Sequence, residues 1–197
     1  VFFIHGGYWQ VFEPESFFFL ADELNKAGFS AILPGYDLCP NVRLTDICGQ
    51  VERAFDAAFA RVGKPMLVSG HSAGGHLVAR MLDKSLLPPA VGERIKTVIP
   101  ISPLSDLRPL LRTTMNQKFK MDSAAAIAES PVEMQDRYEA EVTVWVGGEE
   151  RPAFLDQAVW LVEAWEADHV IALGKHHFNV IDPLADPESD LVALIVN

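Results

Sequence analysis

Short apolar runs that alternate with longer helix-compatible segments decide which folds are open to this chain. The runs are nearly continuous in apolar residues, which is typical of parallel strands buried on both faces. They span residues 1–4, 30–33, 65–69, 97–101, 142–146 and 170–173. The helix-compatible segments span 14–27, 44–62, 73–86, 153–167 and 187–195. This alternation predicts an α/β fold, a three-layer sandwich whose mostly parallel sheet lies between helices.

The length of 197 residues suits one compact unit, so we expect residues 1–197 to form a single domain. The stretch between Pro103 and Pro131 is longer than a normal strand-to-strand crossover and includes a short helix candidate at 124–128. We expect residues 103–134 to form a cap-like insertion over the strand ends. Because the chain begins inside a strand-like run, we also expect the first strands of this fold to be absent from it.

Charge and cysteine content exclude several kinds of function. The net charge is −11 and no run of Lys or Arg is long, so we expect neither nucleic acid nor membrane as a partner. Apolar stretches are too short to cross a bilayer, and no signal peptide is evident. Cys39 and Cys48 are too few for a disulfide framework and have no metal-type spacing. These features favour a cytoplasmic protein without a metal.

One motif points to chemistry. Residues 66–75 read Met-Leu-Val-Ser-Gly-His-Ser-Ala-Gly-Gly, in which an apolar strand runs through G-x-S-x-G into a helix. In this setting the serine sits on a sharp turn that exposes its hydroxyl above the sheet. Gly70 and Gly74 leave room where neighbouring backbone approaches closely. A glycine-rich turn without chemistry is the alternative, but the strand and helix on either side favour Ser72 as a nucleophile.

A serine nucleophile needs two backbone N–H groups that bind the oxyanion formed during attack. Ala73 would supply one, because it directly follows the nucleophile. The loop after the first strand reads Ile-His-Gly-Gly-Tyr-Trp from residue 4, and Gly7 and Tyr8 are the candidates for the second. His5 and Gly6 are expected to support this loop, His5 by hydrogen bonding. A plain turn at residues 6–7 is the alternative.

The general base should be a histidine that follows the last strand. Four of the six histidines are assigned to the oxyanion loop, to packing or support beside the serine, and to the start of a strand: His5, His71, His76 and His169. This leaves His176 and His177 in the sequence Gly-Lys-His-His-Phe. We favour His177, which directly precedes Phe178, and keep His176 as the alternative.

The acid that orients the base should follow the strand at 142–146. The loop there reads Gly-Gly-Glu-Glu-Arg-Pro and contains no aspartate, so glutamate must act. We favour Glu150 and keep Glu149 as its neighbouring alternative. Asp106, which follows the preceding strand, is a second alternative, because some hydrolases draw the acid from that position.

With these motifs located, the chain resembles the kynurenine formamidase (arylformamidase) branch of the α/β-hydrolases. The resemblance is carried by His-Gly-Gly-Tyr-Trp at 5–9, by the segments 34–40, 105–110 and 148–154, and by the His-Phe pair at 177–178. It places Glu150 on the family's aspartate, so the acid is a departure from the family pattern. HGG-type carboxylesterases share the first of these motifs and the Gly-His-Ser-Ala-Gly-Gly sequence around the serine.

The resemblance implies a serine hydrolase that cleaves a small ester or aryl formamide through an acyl-enzyme, without a metal or organic cofactor. The expected partner is a small-molecule substrate, and the sequence leaves a homodimer open. Trp9 and Met115 are candidates for the substrate pocket, with ordinary packing as the alternative. A general short-chain carboxylesterase is the competing enzyme. A binding protein that kept the fold and lost activity is the hypothesis from another class.

Overall fold

A computed structural model describes residues 1–196. Five parallel strands form one sheet in chain order, which confirms the predicted fold class. They are β1 (Phe2–Ile4), β2 (Met66–His71), β3 (Ile95–Ile101), β4 (Glu141–Gly147) and β5 (Asp168–Ala172). Because all the strands run in the same direction, their carboxyl ends meet at one edge of the sheet, where sites of α/β folds form.

Helices cover both faces of this sheet. They are α1 (Ala21–Lys26), α2 (Leu44–Val62), α3 (Ala73–Arg80), α4 (Pro89–Gly92), α5 (Asn116–Phe119), α6 (Ser123–Ala128), α7 (Pro152–Trp165) and α8 (Asp190–Val196). None of the described helices combines the length and the apolar character needed to cross a membrane.

Alternate residues of each strand enter two separate cores. Phe2 and Ile4 pack with α2, α3 and α7 on one face, whereas Phe3 packs with α1 and α8 on the other. In the same way Val98 and Ile99 of β3 face opposite cores. Burial on both faces explains why the strands read as continuous apolar runs.

The apolar run at 30–33 is not a strand, although the sequence predicted one. Only Ile32 pairs there, through a single bridge to Phe2 on the outer side of β1. Two hydrogen bonds hold it, from the Phe3 N–H to the Ile32 oxygen and from the Ile32 N–H to the Val1 oxygen, each 2.9 Å long. The pairing stops there because Pro34 has no N–H to donate.

Two predicted helices are shorter or less regular than expected. The segment 14–27 divides into a 3-10 helix at Pro14–Leu20 and the short helix α1. Helix α3 ends at Arg80, six residues before the predicted end. The Asp83 carboxylate accepts a hydrogen bond from the Ser85 N–H at 2.8 Å and binds Arg80, so the chain turns where a helix would continue.

The predicted insertion at 103–134 contains α5, α6 and two 3-10 helices, at Arg108–Arg112 and Pro131–Glu133.

Glu129 connects this segment to the helices beside it. Its buried carboxylate binds Arg80 of α3 and accepts a hydrogen bond from the Thr45 hydroxyl of α2 at 2.7 Å. The Glu129 carbonyl lies 2.7 Å from Nε2 of His76. These contacts fasten the segment to α2 and α3. Its description as a cap-like insertion within a single domain stays a prediction.

The buried His76 predicts a pH dependence of stability. Burial lowers the pKa of His76 to about 4 from an ordinary value of 6.5. Between these pH values the unfolded chain therefore binds a proton that the folded protein does not bind. The free energy of unfolding should fall on acidification by about 1.4 kcal/mol per pH unit for this one proton.

Denaturant titrations of the wild type and of His76→Gln at pH 7.0, 6.0, 5.0 and 4.5 measure this dependence. Because glutamine does not titrate, the variant should lose less stability than the wild type over this range, whatever its stability at pH 7.0. Parallel curves for the two proteins would contradict the prediction.

Candidate active site

Ser72 lies on the turn between β2 and α3 in a backbone conformation that few residues adopt. Its φ is 57° and its ψ is −114°, and its N–H donates to the Ile101 oxygen at 2.8 Å. Such a conformation costs about 1–3 kcal/mol and persists only where the surroundings enforce it. A Cβ on Gly74 would overlap the carbonyl oxygen of Ile4, so the glycine allows α3 to begin directly against β1. The turn therefore directs the serine hydroxyl to the carboxyl edge of the sheet.

His177 connects the serine to an acid. Its Nε2 lies 3.0 Å from Ser72 Oγ, and its Nδ1 lies 2.6 Å from Glu150 Oε2. The carboxylate can only accept, so Nδ1 carries the hydrogen and Nε2 is free to accept the serine proton. His176 is exposed, and its Nδ1 accepts the Phe178 N–H at 3.2 Å. The structure thus brings together the favoured histidine and the serine.

Glu150 is buried and its carboxylate accepts three hydrogen bonds. Besides His177, it accepts hydrogen bonds from the Gly147 N–H at 3.0 Å and from the Ser102 hydroxyl. Burial by itself would raise the pKa of Glu150, but these three hydrogen bonds outweigh it and hold the pKa below its ordinary value. The carboxylate is therefore ionised when it faces the His177 ring.

The two alternative acids lie elsewhere. The Asp106 carboxylate is held by the Arg108 guanidinium at 2.7 Å, and its pKa is lowered by the hydrogen bonds from Arg108 even though burial acts in the opposite direction. Glu149 is exposed at the mouth of the site. Neither forms a hydrogen bond to His177 among the described residues. The geometry therefore favours Glu150.

The loop after β1 lies against the turn that carries Ser72. Gly7 has a φ of 109° and Tyr8 a φ of 51°, and the Gln10 and Val11 N–H groups both donate to the Gly7 oxygen, so the main chain makes a tight turn here. Within residues 1–196, the N–H groups of Gly7, Tyr8 and Ala73 donate to no protein acceptor. Gly6 packs closely here, since a Cβ on it would lie 3.1 Å from the Ser72 Cβ. The loop can therefore supply donors beside the serine hydroxyl.

His5 supports this loop from below. Its buried ring stacks on Tyr36 with the ring centres 4.4 Å apart, and its Nδ1 lies 2.8 Å from the Gly6 oxygen. The Tyr36 hydroxyl donates to the His5 carbonyl oxygen at 2.9 Å. Burial lowers the pKa of His5, which favours a neutral ring that donates through Nδ1.

A cavity of about 920 Å³ opens over Ser72 and His177. Six aromatic residues line it: Tyr8, Phe12, Phe17, Phe19, Phe154 and Phe178. Met115, a predicted pocket residue, is also part of the lining. A mostly apolar cavity with a few polar groups is typical of a small-molecule site.

Trp9, a candidate for the substrate pocket, does not line the cavity, and the alternative of ordinary packing holds for it. Its side chain is fully buried, with its ring 5.1 Å from His76 and 5.5 Å from Phe119. Its backbone has a φ of 55°, and its side chain is part of the core cluster that includes α2 and α3. Trp9 thus anchors the loop after β1 in the core.

Two neighbours of the site were missed from the sequence. The Ser102 hydroxyl binds Glu150, and the Phe154 ring stacks on the His177 ring at 3.8 Å between centres. Ser102 is a polar residue directly after an apolar strand, a signal that could have identified it. Phe154 lies in the first turn of α7 and ends the segment 148–154 that carries the family resemblance, but the sequence analysis assigned it no role beside the base.

Comparison with known proteins identifies the family of this chain. A profile of the alpha/beta hydrolase fold family matches residues 1–165. The chain belongs to this family. Kynurenine formamidase from Salmo salar is 28% identical over 209 residues, which cover 100% of this chain and 71% of the relative. The enzyme of the same name from Danio rerio is 27% identical over 208 residues, with the same coverage of both chains.

Solved structures show the same alpha/beta hydrolase fold. A crystal structure from Silicibacter sp. TM1040, described as a candidate thioesterase, is 65% identical with a TM-score of 0.98. The match covers 100% of this chain and 75% of that one. An esterase/lipase from an uncultured bacterium is 21% identical with a TM-score of 0.74 and covers 99% and 73% of the two chains. Family and relatives together support hydrolase activity.

Proposed function

We propose that this protein is a serine hydrolase that cleaves a small aryl formamide or carboxylic ester through an acyl-enzyme. The observation that carries the proposal is the continuous hydrogen-bonded chain from Ser72 through His177 to Glu150, with links of 3.0 and 2.6 Å. Those distances are within the range in which a base can take the proton of a nucleophile.

In the first half of the reaction, the Ser72 oxygen attacks the carbonyl carbon while its proton passes to Nε2 of His177. The ionised Glu150 stabilises the resulting imidazolium through the Nδ1 hydrogen bond. The negative oxygen of the tetrahedral intermediate accepts hydrogen bonds from the N–H groups of Ala73 and of Gly7 or Tyr8. When the carbon–leaving group bond breaks, the leaving amine or alcohol takes the proton from Nε2.

In the second half, a water molecule attacks the acyl carbon and gives its proton to Nε2. The bond to Ser72 Oγ then breaks, the serine regains its proton, and the acid product leaves. Every proton moves through one ring nitrogen. The reaction therefore needs His177 to keep both its position and its tautomer, and it needs no metal or organic cofactor.

The lining of the cavity supports an aromatic substrate. Aromatic rings such as Phe12, Phe19 and Phe178 line it beside the serine, and the 26–28% identical relatives are kynurenine formamidases. An aryl ring packs well against such walls. We therefore propose an aryl formamide of the N-formylkynurenine type as the preferred substrate, with a short-chain ester as the alternative.

Thioesters are a second candidate class, because the 65% identical relative is described as a candidate thioesterase. A serine attacks a thioester carbonyl by the same steps, so the residues around Ser72 do not separate the two classes. The two classes differ in the leaving group, so a panel of acyl compounds with different leaving groups tests which class the protein prefers.

The panel comprises N-formylkynurenine, p-nitrophenyl acetate and S-phenyl thioacetate, each measured as kcat/KM with Ser72→Ala as the blank. The proposal expects the formamide to give the highest kcat/KM. Turnover of p-nitrophenyl acetate alone would withdraw the formamidase assignment and leave a carboxylesterase. A higher kcat/KM for the thioester would make a thioesterase the assigned function.

A further inference from the structure

His71, the residue directly before the nucleophile, reaches across to the loop that carries the base. It ends β2, its side chain is 7% exposed, and its Nε2 lies 2.8 Å from the main-chain oxygen of His177. A carbonyl oxygen can only accept, so Nε2 of His71 carries a hydrogen and donates it. The end of β2, directly before Ser72, is thus bonded to the main chain of His177, the residue that would deprotonate the serine.

The ring of His71 stays neutral while it makes this contact. Burial, together with the charge that the nearby His177 ring can carry 4.8 Å away between centres, lowers the pKa of His71 to about 3. A second positive charge here would oppose the imidazolium that His177 forms during catalysis. His71 is therefore suited to donate a fixed hydrogen bond and unsuited to exchange protons in the reaction.

The main chain of the loop that follows β5 is bonded next to His177, where the Lys175 oxygen accepts the Glu149 N–H at 2.9 Å and the His176 oxygen accepts the Val180 N–H at 3.0 Å. The side chains of Leu173 and Phe178 are 86% and 78% exposed and add little packing, so the bond from His71 is the contact that holds the His177 main chain itself. Among residues 1–196, the His177 carbonyl accepts no hydrogen bond other than that from His71. Phe154 stacks on the imidazole ring but does not bind its main chain.

We propose that His71 is a positioning residue, which holds the His177 backbone so that the imidazole lies within hydrogen-bonding distance of both Ser72 and Glu150. This role rests on the serine hydrolase function proposed above. His71 differs from Ser72 and His177 because it donates a hydrogen bond to the main chain of the base and takes part in no proton transfer.

Two amide variants test this role, because they differ mainly in how far their N–H reaches. Glutamine can present an N–H about where Nε2 of histidine lies, whereas asparagine is one methylene shorter. We expect His71→Asn to lower kcat by about 100-fold, the cost of a base misplaced by about 1 Å, and to leave KM within about threefold. We expect His71→Gln to restore most of kcat.

A spectroscopic measurement separates positioning from a loss of stability. The His177 Nδ1–H that binds Glu150 should give a far-downfield proton NMR signal, identified by its absence in Glu150→Gln. The signal should persist in His71→Gln and be lost or broadened in His71→Asn, at a temperature where circular dichroism shows both variants folded.

His76→Asn is the matched control for this measurement, since His76 is also buried with Nε2 2.7 Å from a carbonyl oxygen. It should keep the signal.

Labelling of the wild-type serine by a fluorophosphonate distinguishes the two proposals. If the wild type is labelled but His71→Asn keeps both its signal and its kcat, the positioning role is wrong and the hydrolase stands. Equal losses in the glutamine and asparagine variants would also overturn it, because the position of the donor would then not matter. If the wild type is not labelled, both proposals fail.

Discussion

Ser72→Ala should lower kcat by at least about 10⁴-fold and leave the fold intact. The variant loses the attacking oxygen, and catalysis that remains without a nucleophile comes only from substrate binding and the oxyanion donors. Folding should change little, because alanine keeps the Cβ that occupies the strained turn, and the only side-chain hydrogen bond that Ser72 makes within the described chain is to His177. Initial rates on N-formylkynurenine and p-nitrophenyl acetate, together with the melting temperature, measure both effects.

Ser69→Ala is the matched control for this substitution. Ser69 lies three residues earlier on β2 and is fully buried, and its hydroxyl donates to the Ile99 oxygen at 2.8 Å. Removing it should cost about 1 kcal/mol of stability and leave kcat near the wild-type value. If Ser72→Ala kept more than about a tenth of the wild-type kcat, the assignment of Ser72 as the nucleophile would be wrong.

Glu150→Gln should lower kcat by about 10³–10⁴-fold, with a much smaller change in KM. Glutamine has no charge to stabilise the imidazolium of His177. When its oxygen keeps the hydrogen bonds that Ser102 and Gly147 donate to Oε1, its amide nitrogen, which donates and does not accept, takes the place of Oε2 opposite Nδ1 of His177. The His177 ring can then adopt the wrong tautomer. Stopped-flow or steady-state measurement of kcat at saturating substrate tests this effect.

The alternative acids provide the controls for Glu150. Glu149→Gln removes an exposed carboxylate one residue away, and Asp106→Asn removes one that binds Arg108. Both variants should keep kcat within about threefold of the wild type, since neither carboxylate binds the imidazole. A near-normal rate for Glu150→Gln combined with a large loss in either control would move the role of the acid to that residue.

The sequence located the main parts of the site because each part is local. Ser72 lies in a motif whose neighbouring strand and helix are both visible in the sequence, and Glu150 and His177 follow apolar runs that end at one edge of a parallel sheet. The loops that carry Ser72, Glu150 and His177 all follow carboxyl ends of parallel strands, so they lie at the same edge of the sheet. Their proximity therefore follows from the parallel arrangement, without knowledge of any side-chain contact.

Contacts made between distant segments were not predictable in this way. The stacking of Phe154 on His177 and the bond from His71 to the His177 carbonyl join residues that only the folded chain brings together. Trp9 was misplaced for the same reason, because it packs against His76 and Phe119, which are distant from it in the sequence. The run at 30–33 had the composition of a strand, but Pro34 limits its pairing to Ile32 alone.

Mass spectrometry of the protein after treatment with a fluorophosphonate addresses the central claim most directly. A serine hydroxyl becomes reactive towards this reagent only when a base and oxyanion donors act on it together. We expect a single covalent adduct on the peptide that contains Ser72, which is absent from Ser72→Ala and greatly slowed in Glu150→Gln. An unmodified Ser72, or an adduct that forms equally well without Glu150, would contradict the proposed mechanism.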